Sequence, residues 1–290
     1  MNNKSIIAIN RHTAILLLLI SALLGCQVSE TPEPEASATL KLYVFNCGGL
    51  KFDSLEMFSI ADDETDIREL AVPCYVIEHA RGRLLWDGGL PSSVAETEGW
   101  QGEGIYMRLD QTLPEQLADI GLNLSSFDYV AFSHMHIDHC GVANDIHGAT
   151  LLIQKAEADF AFAEGLSHPG FNPSVYEGLK NEKKKLLEGD HDVFGDGLVR
   201  IISAPGHTPG HQVLYLDLEN TGPIVLSGDL YHFALSRELR RTPTFNVDAD
   251  MTLASMDRVE SFLEETGAIL WIEHELALFE RLNKSPSYYD

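Results

Sequence analysis

The chain has 290 residues, 44% hydrophobic and 22% charged, which is enough apolar sequence for one large core and excludes a disordered chain. Its formal net charge of -24 excludes a surface built for phosphate backbones, which needs clustered Lys and Arg to displace counterions. The acidic balance fits a neutral or cationic small-molecule substrate, or solubility alone.

Residues 1–25 carry Lys4 and Arg11, then the apolar run 14–20, then Ser21-Ala22-Leu23-Leu24-Gly25, the layout of a secretory signal peptide. The run is too short for a transmembrane span. Leu23-Leu24-Gly25-Cys26 resembles the bacterial lipobox, which implies a lipidated Cys26 as the mature N-terminus; Gln27 after it implies sorting to the outer membrane. The expected location is therefore exported, lipid-anchored to the outer membrane or periplasmic or extracellular, with membrane contact only through Cys26. Residues 26–39, rich in Pro, Glu and Ser, read as a flexible tether, and residues 40–290 as the catalytic domain. Beyond Cys26, the odd set Cys47, Cys74 and Cys140 implies no disulfide framework, and Cys140 reads as a small buried thiol.

Within the domain, strand patterns fall at 40–45, 74–79, 83–87, 129–133, 150–154, 198–203, 212–217, 224–227 and 268–272. Helical patterns interleave at 112–120, 155–163, 174–187 and 250–265, so the class is a layered α/β fold. Each cluster of candidate ligands follows a strand: His134, His207, Asp229 and His274. Sites of layered α/β proteins are built at such strand ends.

Ser133-His134-Met135-His136-Ile137-Asp138-His139 gathers three imidazoles and a carboxylate, donors suited to zinc. His207 lies in the Gly- and Pro-rich turn Pro205-Gly206-His207-Thr208-Pro209-Gly210-His211, Asp229 in Ser227-Gly228-Asp229, and His274 in Trp271-Ile272-Glu273-His274. Five His and two Asp are enough for two metals with three terminal ligands each and one bridging carboxylate.

This order, His-x-His-x-Asp-His, a lone His, an Asp and a late His, resembles the metallo-β-lactamase superfamily, whose fold is a four-layer αβ/βα sandwich with the site at one edge. The resemblance implies that His134, His136 and His207 hold one Zn(2+), that Asp138, His139 and His274 hold a second, and that Asp229 bridges them. The start 42–48, Leu85-Trp86-Asp87-Gly88-Gly89 and the ending 271–275 further resemble the N-acyl-homoserine lactonase family. That implies opening of the lactone ring of quorum signals by a hydroxide held between the metals, with Asp138 passing a proton to the leaving oxygen. Those lactonases place a Tyr three residues after the bridging Asp; here Tyr231 stands two after it and His232 three after it, and both are candidates for the substrate contact. Leu50, Phe52, Met57, Phe58 and Ile137 are candidates for an acyl groove, against ordinary packing for each. His79, His147, His168, His191 and His211 read as surface or supporting groups.

Rival readings keep the scaffold and change the substrate: an organophosphate, another ester or lactone, or a β-lactam. A nucleic-acid processing enzyme is disfavoured by the charge, and a redox protein by the lack of a further domain. Both a monomer and a homodimer are compatible with the sequence.

Overall fold

The computed structural model describes residues 40–290; the signal-peptide and tether expectations for residues 1–39, Cys26 included, lie outside the described residues. In chain order the elements are β1 (Lys41–Phe52), β2 (Glu69–His79), β3 (Gly82–Trp86), β4 (Gln101–Glu103), β5 (Ile105–Arg108), α1 (Leu113–Asp119), β6 (Tyr129–Ala131), β7 (Thr150–Gln154), α2 (Lys155–Ala161), α3 (Pro173–Tyr176) and β8 (Lys184–Leu187). There follow β9 (His191–Asp192), β10 (Val199–Ser203), β11 (Gln212–Leu218), β12 (Gly222–Leu226), α4 (Ala234–Leu239), α5 (Ala249–Thr266), β13 (Ile269–Trp271), α6 (Leu276–Phe279) and β14 (Tyr288–Tyr289). One sheet runs β4-β5-β1-β2-β3-β6-β7-β8, with β14 also on β1; the other runs β13-β12-β11-β10-β9.

The period of two along the strands builds the layers. Leu42 and Val44 of β1, Leu84 and Trp86 of β3, Ile201 of β10, Leu214 and Leu216 of β11, and Ile224 and Leu226 of β12 meet in one core between the sheets. Their neighbours point outward: Phe45 and Leu85 pack towards Leu113 and Leu117 of α1 and Ala158 of α2, while Ile202, Val213, Tyr215 and Val225 pack against Met256, Val259 and Leu263 of α5. Helix, sheet, sheet, helix is the four-layer αβ/βα order.

Local chemistry sets the helix ends. Thr112 accepts from Glu115 N while the Glu115 carboxylate accepts from Thr112 N, a reciprocal cap for α1. Asp248 accepts from Met251 N at the start of α5, and Gly267 ends it with φ of 70°.

Two expectations are corrected. The helix expected over 174–187 is a four-residue helix, a 3-10 turn over Glu177–Asn181 and the edge strand β8. Its residues pair in parallel with β7, Leu151 against Lys184 and Gln154 against Leu187, so sheet pairing overrides a helical-looking pattern already interrupted by Gly178. The lysines of β8 stand on an open sheet edge, where charge discourages further pairing. Cys47 and Cys74 form a disulfide between β1 and β2, with Cα atoms 5.7 Å apart, where no pairing was expected. The odd cysteine is Cys140, a buried free thiol. Among the described residues no helix is long and apolar enough to cross a membrane.

Candidate metal centre

The parallel strands β3 and β6 end side by side, Trp86 opposite Ala131, and deliver Asp87 and the segment 133–139 to one edge of the sandwich. From the second sheet, the β10–β11 connection delivers His207, the end of β12 delivers Asp229 and the end of β13 delivers His274. Gly228, just before Asp229, has φ of 47°, and a Cβ there would lie 2.6 Å from His211 Nε2 and 2.7 Å from Ser133 Cβ. Only glycine lets the two sheets approach at that point. Gly206, before His207, has φ of 134° and would place a Cβ 2.3 Å from Thr252 N, so this turn closes tightly on α5.

The seven expected ligands converge in two groups. His134, His136, His207 and Asp229 bring one donor atom each within 4.8 Å of one another, and so do Asp138, His139 and His274. Asp229 divides its carboxylate: Oδ1 lies 2.9 Å from His274 Nε2 and 3.1 Å from His139 Nε2, while Oδ2 lies 3.2 Å from His207 Nε2 and 3.5 Å from His134 Nε2. That is the arrangement of a bridging ligand. Asp138 Oδ2 is 3.6 Å from His274 Nε2 and 3.7 Å from His139 Nε2.

Three of the five ligand imidazoles have the outer nitrogen tied to a carboxylate, amide or backbone oxygen, whereas His136 Nε2 is buried without a hydrogen bond. His139 donates from Nδ1 to Asp87 Oδ2 at 2.8 Å, His274 from Nδ1 to the Ala71 carbonyl at 2.7 Å, and His207 from Nδ1 to Asn246 Oδ1 at 2.8 Å. Asn246 is itself oriented by its donation to Thr252 Oγ1 at 2.9 Å. His211 donates to the Ala204 carbonyl and accepts from Asp229 N at 2.9 Å, which seats the bridging residue. Such partners fix the tautomer and leave the inward lone pairs free.

Those inward nitrogens test whether a cation fits. His139 Nε2 faces His274 Nε2 at 3.2 Å, and His136 Nδ1 faces His207 Nε2 at 3.2 Å. His134 Nε2 is buried without a hydrogen bond. Lone pairs opposed at this range inside a protein repel unless a cation or proton lies between them, so the donor set fits metals. Charge sensing agrees. Burial holds His134 and His136 well below the usual imidazole range, their histidine neighbours adding to it. For His274, burial opposes protonation but the Asp229 carboxylate overrides it and lifts the imidazole to about 9. For Asp229, burial opposes ionisation, but the surrounding imidazoles hold the carboxyl well below its ordinary value.

The metallo-beta-lactamase superfamily model matches residues 67–266, more than half of the chain. The chain belongs to the metallo-beta-lactamase superfamily. Similar proteins extend over nearly all of it. N-acyl homoserine lactonase AttM of Azorhizobium caulinodans is 27% identical over 261 residues, covering 87% of this chain and 99% of the relative. AttM of Rhizobium johnstonii is 28% identical over 260 residues, covering 86% and 98%. A solved structure of a Bacillus thuringiensis AiiA variant with N-decanoyl-L-homoserine at its active site superposes with a TM-score of 0.74 at 24% identity, covering 86% and 98% of the two chains. The superfamily assignment accounts for the sandwich and for the strand-end position of the ligands; His274 lies beyond the residues that the family model matches.

The two residues after Asp229 that competed for the substrate contact part company. Tyr231 turns its hydroxyl away, donating to Glu260 Oε1 at 2.7 Å, and Glu260 also receives Arg237. His232 faces the centre: Nε2 is 3.0 Å from Asp229 Oδ2, and its ring stacks on that of His274. Burial pulls its imidazole down to about 4. Of the expected groove residues, Leu50 and Phe52 are buried in a cluster with Leu70 and Val72, and Met57 packs against that cluster. Phe58 stands 4.9 Å from the His232 ring, and Ile137, half-buried, sits among the ligands. Phe245 and Phe171, which sequence reasoning missed, flank His207 at 5.7 Å and His136 at 4.7 Å. Asp87 and Asn246 were missed as ligand partners too; Asp87 stood in a Gly-Gly turn that carried a hint, Asn246 in nothing distinctive.

Proposed function

We propose that this chain hydrolyses the lactone ring of N-acyl homoserine lactones at a centre of two zinc ions. The observation that carries the reading is the division of Asp229 between two groups of imidazoles, in a chain similar to N-acyl homoserine lactonases over 87% of its length. Imidazole and carboxylate donors suit zinc. Bound there, a pair of such ions supplies a nucleophile at neutral pH and polarises a carbonyl oxygen.

The chain supplies the holding and the proton handling. His134, His136 and His207 would hold one ion and Asp138, His139 and His274 the other, with Asp229 shared between them; the tied outer nitrogens of His139, His207 and His274 leave those three ligands little to reorganise during reaction. Asp138, 9% exposed, is the most open of the seven and is assigned the proton transfer to the departing ring oxygen. His232, neutral at neutral pH because burial depresses it, has a single N–H, which Asp229 Oδ2 takes at 3.0 Å and which a substrate carbonyl would have to take in its place, without added charge. Phe171 and Phe245, both half-buried, give the acyl chain an aromatic rim, with Phe58 buried behind His232.

The test is proton release on adding short- and long-chain N-acyl homoserine lactones to the zinc-loaded chain, beside Asp229→Ala, nitrocefin and a phosphotriester. Rapid opening that vanishes in Asp229→Ala supports the reading; turnover of nitrocefin or the phosphotriester alone replaces the substrate and keeps the centre.

The same reading includes export with a lipid anchor at Cys26. The Cys47–Cys74 disulfide supports export, because disulfides persist in oxidising compartments. Fractionation and intact mass of the mature chain decide it: a cytosolic protein with unmodified Cys26 overturns the proposal.

A further inference from the structure

The two loops that carry the three-imidazole group come from different sheets and need a brace between them. At their base Gln212 N donates to Ser133 O at 2.9 Å. Nearer the ligands the link is a single side chain. Glu157, in the first turn of α2 and 1% exposed, accepts from Met135 N through Oε1 and from Gly210 N through Oε2, both at 2.9 Å. Met135 lies between His134 and His136; Gly210 closes the turn that carries His207.

We propose that Glu157 is a positioning residue that sets the spacing of His134 and His136 from His207, and so the metal affinity of that half of the centre. The inference rests on the two-metal reading. Glu157 reaches no ligand atom; it acts through backbone amides on either side of the ligands. A buried carboxylate is costly unless its oxygens are satisfied, and here both are satisfied by N–H groups of the two loops. Asp would be a methylene short of spanning them, and Gln would turn an NH2 towards one of the two N–H donors. The other half of the centre has different supports, Asp87 behind His139 and the Ala71 carbonyl behind His274, so it should respond less.

Cadmium NMR of the full domain reads this directly, since the group with three imidazoles and the group with two give separate signals, and chelator competition gives the affinity of each. In Glu157→Gln and Glu157→Asp the affinity of the three-imidazole position should fall roughly 10- to 100-fold, the span found for partners behind metal ligands. The other position should move by less than about threefold. Tyr176→Phe, which removes the hydroxyl bonded to Ala161 O at the far end of α2, loosens that helix without touching either loop and should leave both positions unchanged. Equal weakening of the two positions, or wild-type affinity in both Glu157 variants, overturns the inference. Should neither variant fold, hydrogen exchange in the metal-free wild type decides: matched slow exchange of the Met135 and Gly210 amides supports the brace, and fast exchange of either overturns it. A wild-type chain that takes up fewer than two cadmium ions overturns the two-metal reading itself, and this inference with it.

Discussion

Asp87 receives His139 Nδ1 on one oxygen and Ser133 N on the other, at 2.8 and 2.6 Å, so it orients a ligand and pins the start of the ligand segment at once. Asp87→Asn should lower metal affinity at the His139 position roughly 10- to 100-fold, read by chelator competition, while the unfolding temperature of the metal-free chain changes little. The neighbours Tyr231 and His232 should separate by phenotype. Tyr231→Phe gives up the bond to Glu260 and should cost about 1 kcal/mol in denaturant unfolding with turnover intact. His232→Ala should lower kcat on a lactone roughly 100-fold, as expected for loss of one donor to a reacting carbonyl; a drop of less than threefold would remove His232 from the chemistry. Protons report the same residues. With His274 raised to about 9 by Asp229, the metal-free chain near pH 7 carries a proton that a metal must displace. Titration calorimetry in buffers of different ionisation enthalpy should therefore show proton release on zinc uptake. The sign for stability is the reverse of the carboxylate case: the protonated His274–Asp229 pair stabilises the metal-free chain below about pH 6.5, and that contribution disappears as pH rises through about 9.

The strand Thr150–Gln154 was legible as a short apolar run following a Gly, the signature of a strand covered on both faces, and all five of its residues are buried. Residues 174–187 were not, because four residues of β8 take their conformation from β7, a partner some thirty positions earlier in the chain. Likewise the ligand identities were legible from side-chain type and spacing, while their supports were not: the Ala71 carbonyl that holds His274 is 203 positions away and has no side chain to announce it. Helix α5 shows the converse, a local signal with a distant consequence. Asp248 caps α5 through Met251 N and also donates its own N–H to Gly206 O, while Val247 N donates to His207 O. Asp248→Ala should cost about 1 kcal/mol through the lost cap, roughly 2–4 °C in a domain of this size, measured by calorimetry of the metal-free chain. Because the backbone links to Gly206 and His207 remain, lactone turnover at low temperature should be close to wild type, and loss of turnover should appear only near the lowered transition.

Across the whole molecule, the two sheets are held by apolar packing between them, and the ligands reach the metal centre from both, so binding there should also tie the sheets together. The disulfide belongs to a different class of restraint. It joins neighbouring strands of one sheet, its cysteines 27 positions apart, and acts chiefly on the unfolded chain; an enclosed loop of that length corresponds to about 3–4 kcal/mol in the chain-entropy account. Neither cysteine contacts a ligand, although Leu90 N donates to Cys47 O at 3.1 Å and so ties the loop after Asp87 to β1. The paired variant Cys47→Ser with Cys74→Ser should thus unfold on the order of 10 °C below wild type when both are stripped of metal. Loading both with zinc adds binding free energy to the folded state of each, so both transitions should rise. If the disulfide restrains the unfolded chain alone, the two proteins rise by the same free energy and the gap in stability between them persists. A gap that closes on zinc loading would mean that the restraint works through the loop behind Asp87 and the metal site, and a gap of less than about 2 °C at the outset would mean that β1 and β2 hold together without it.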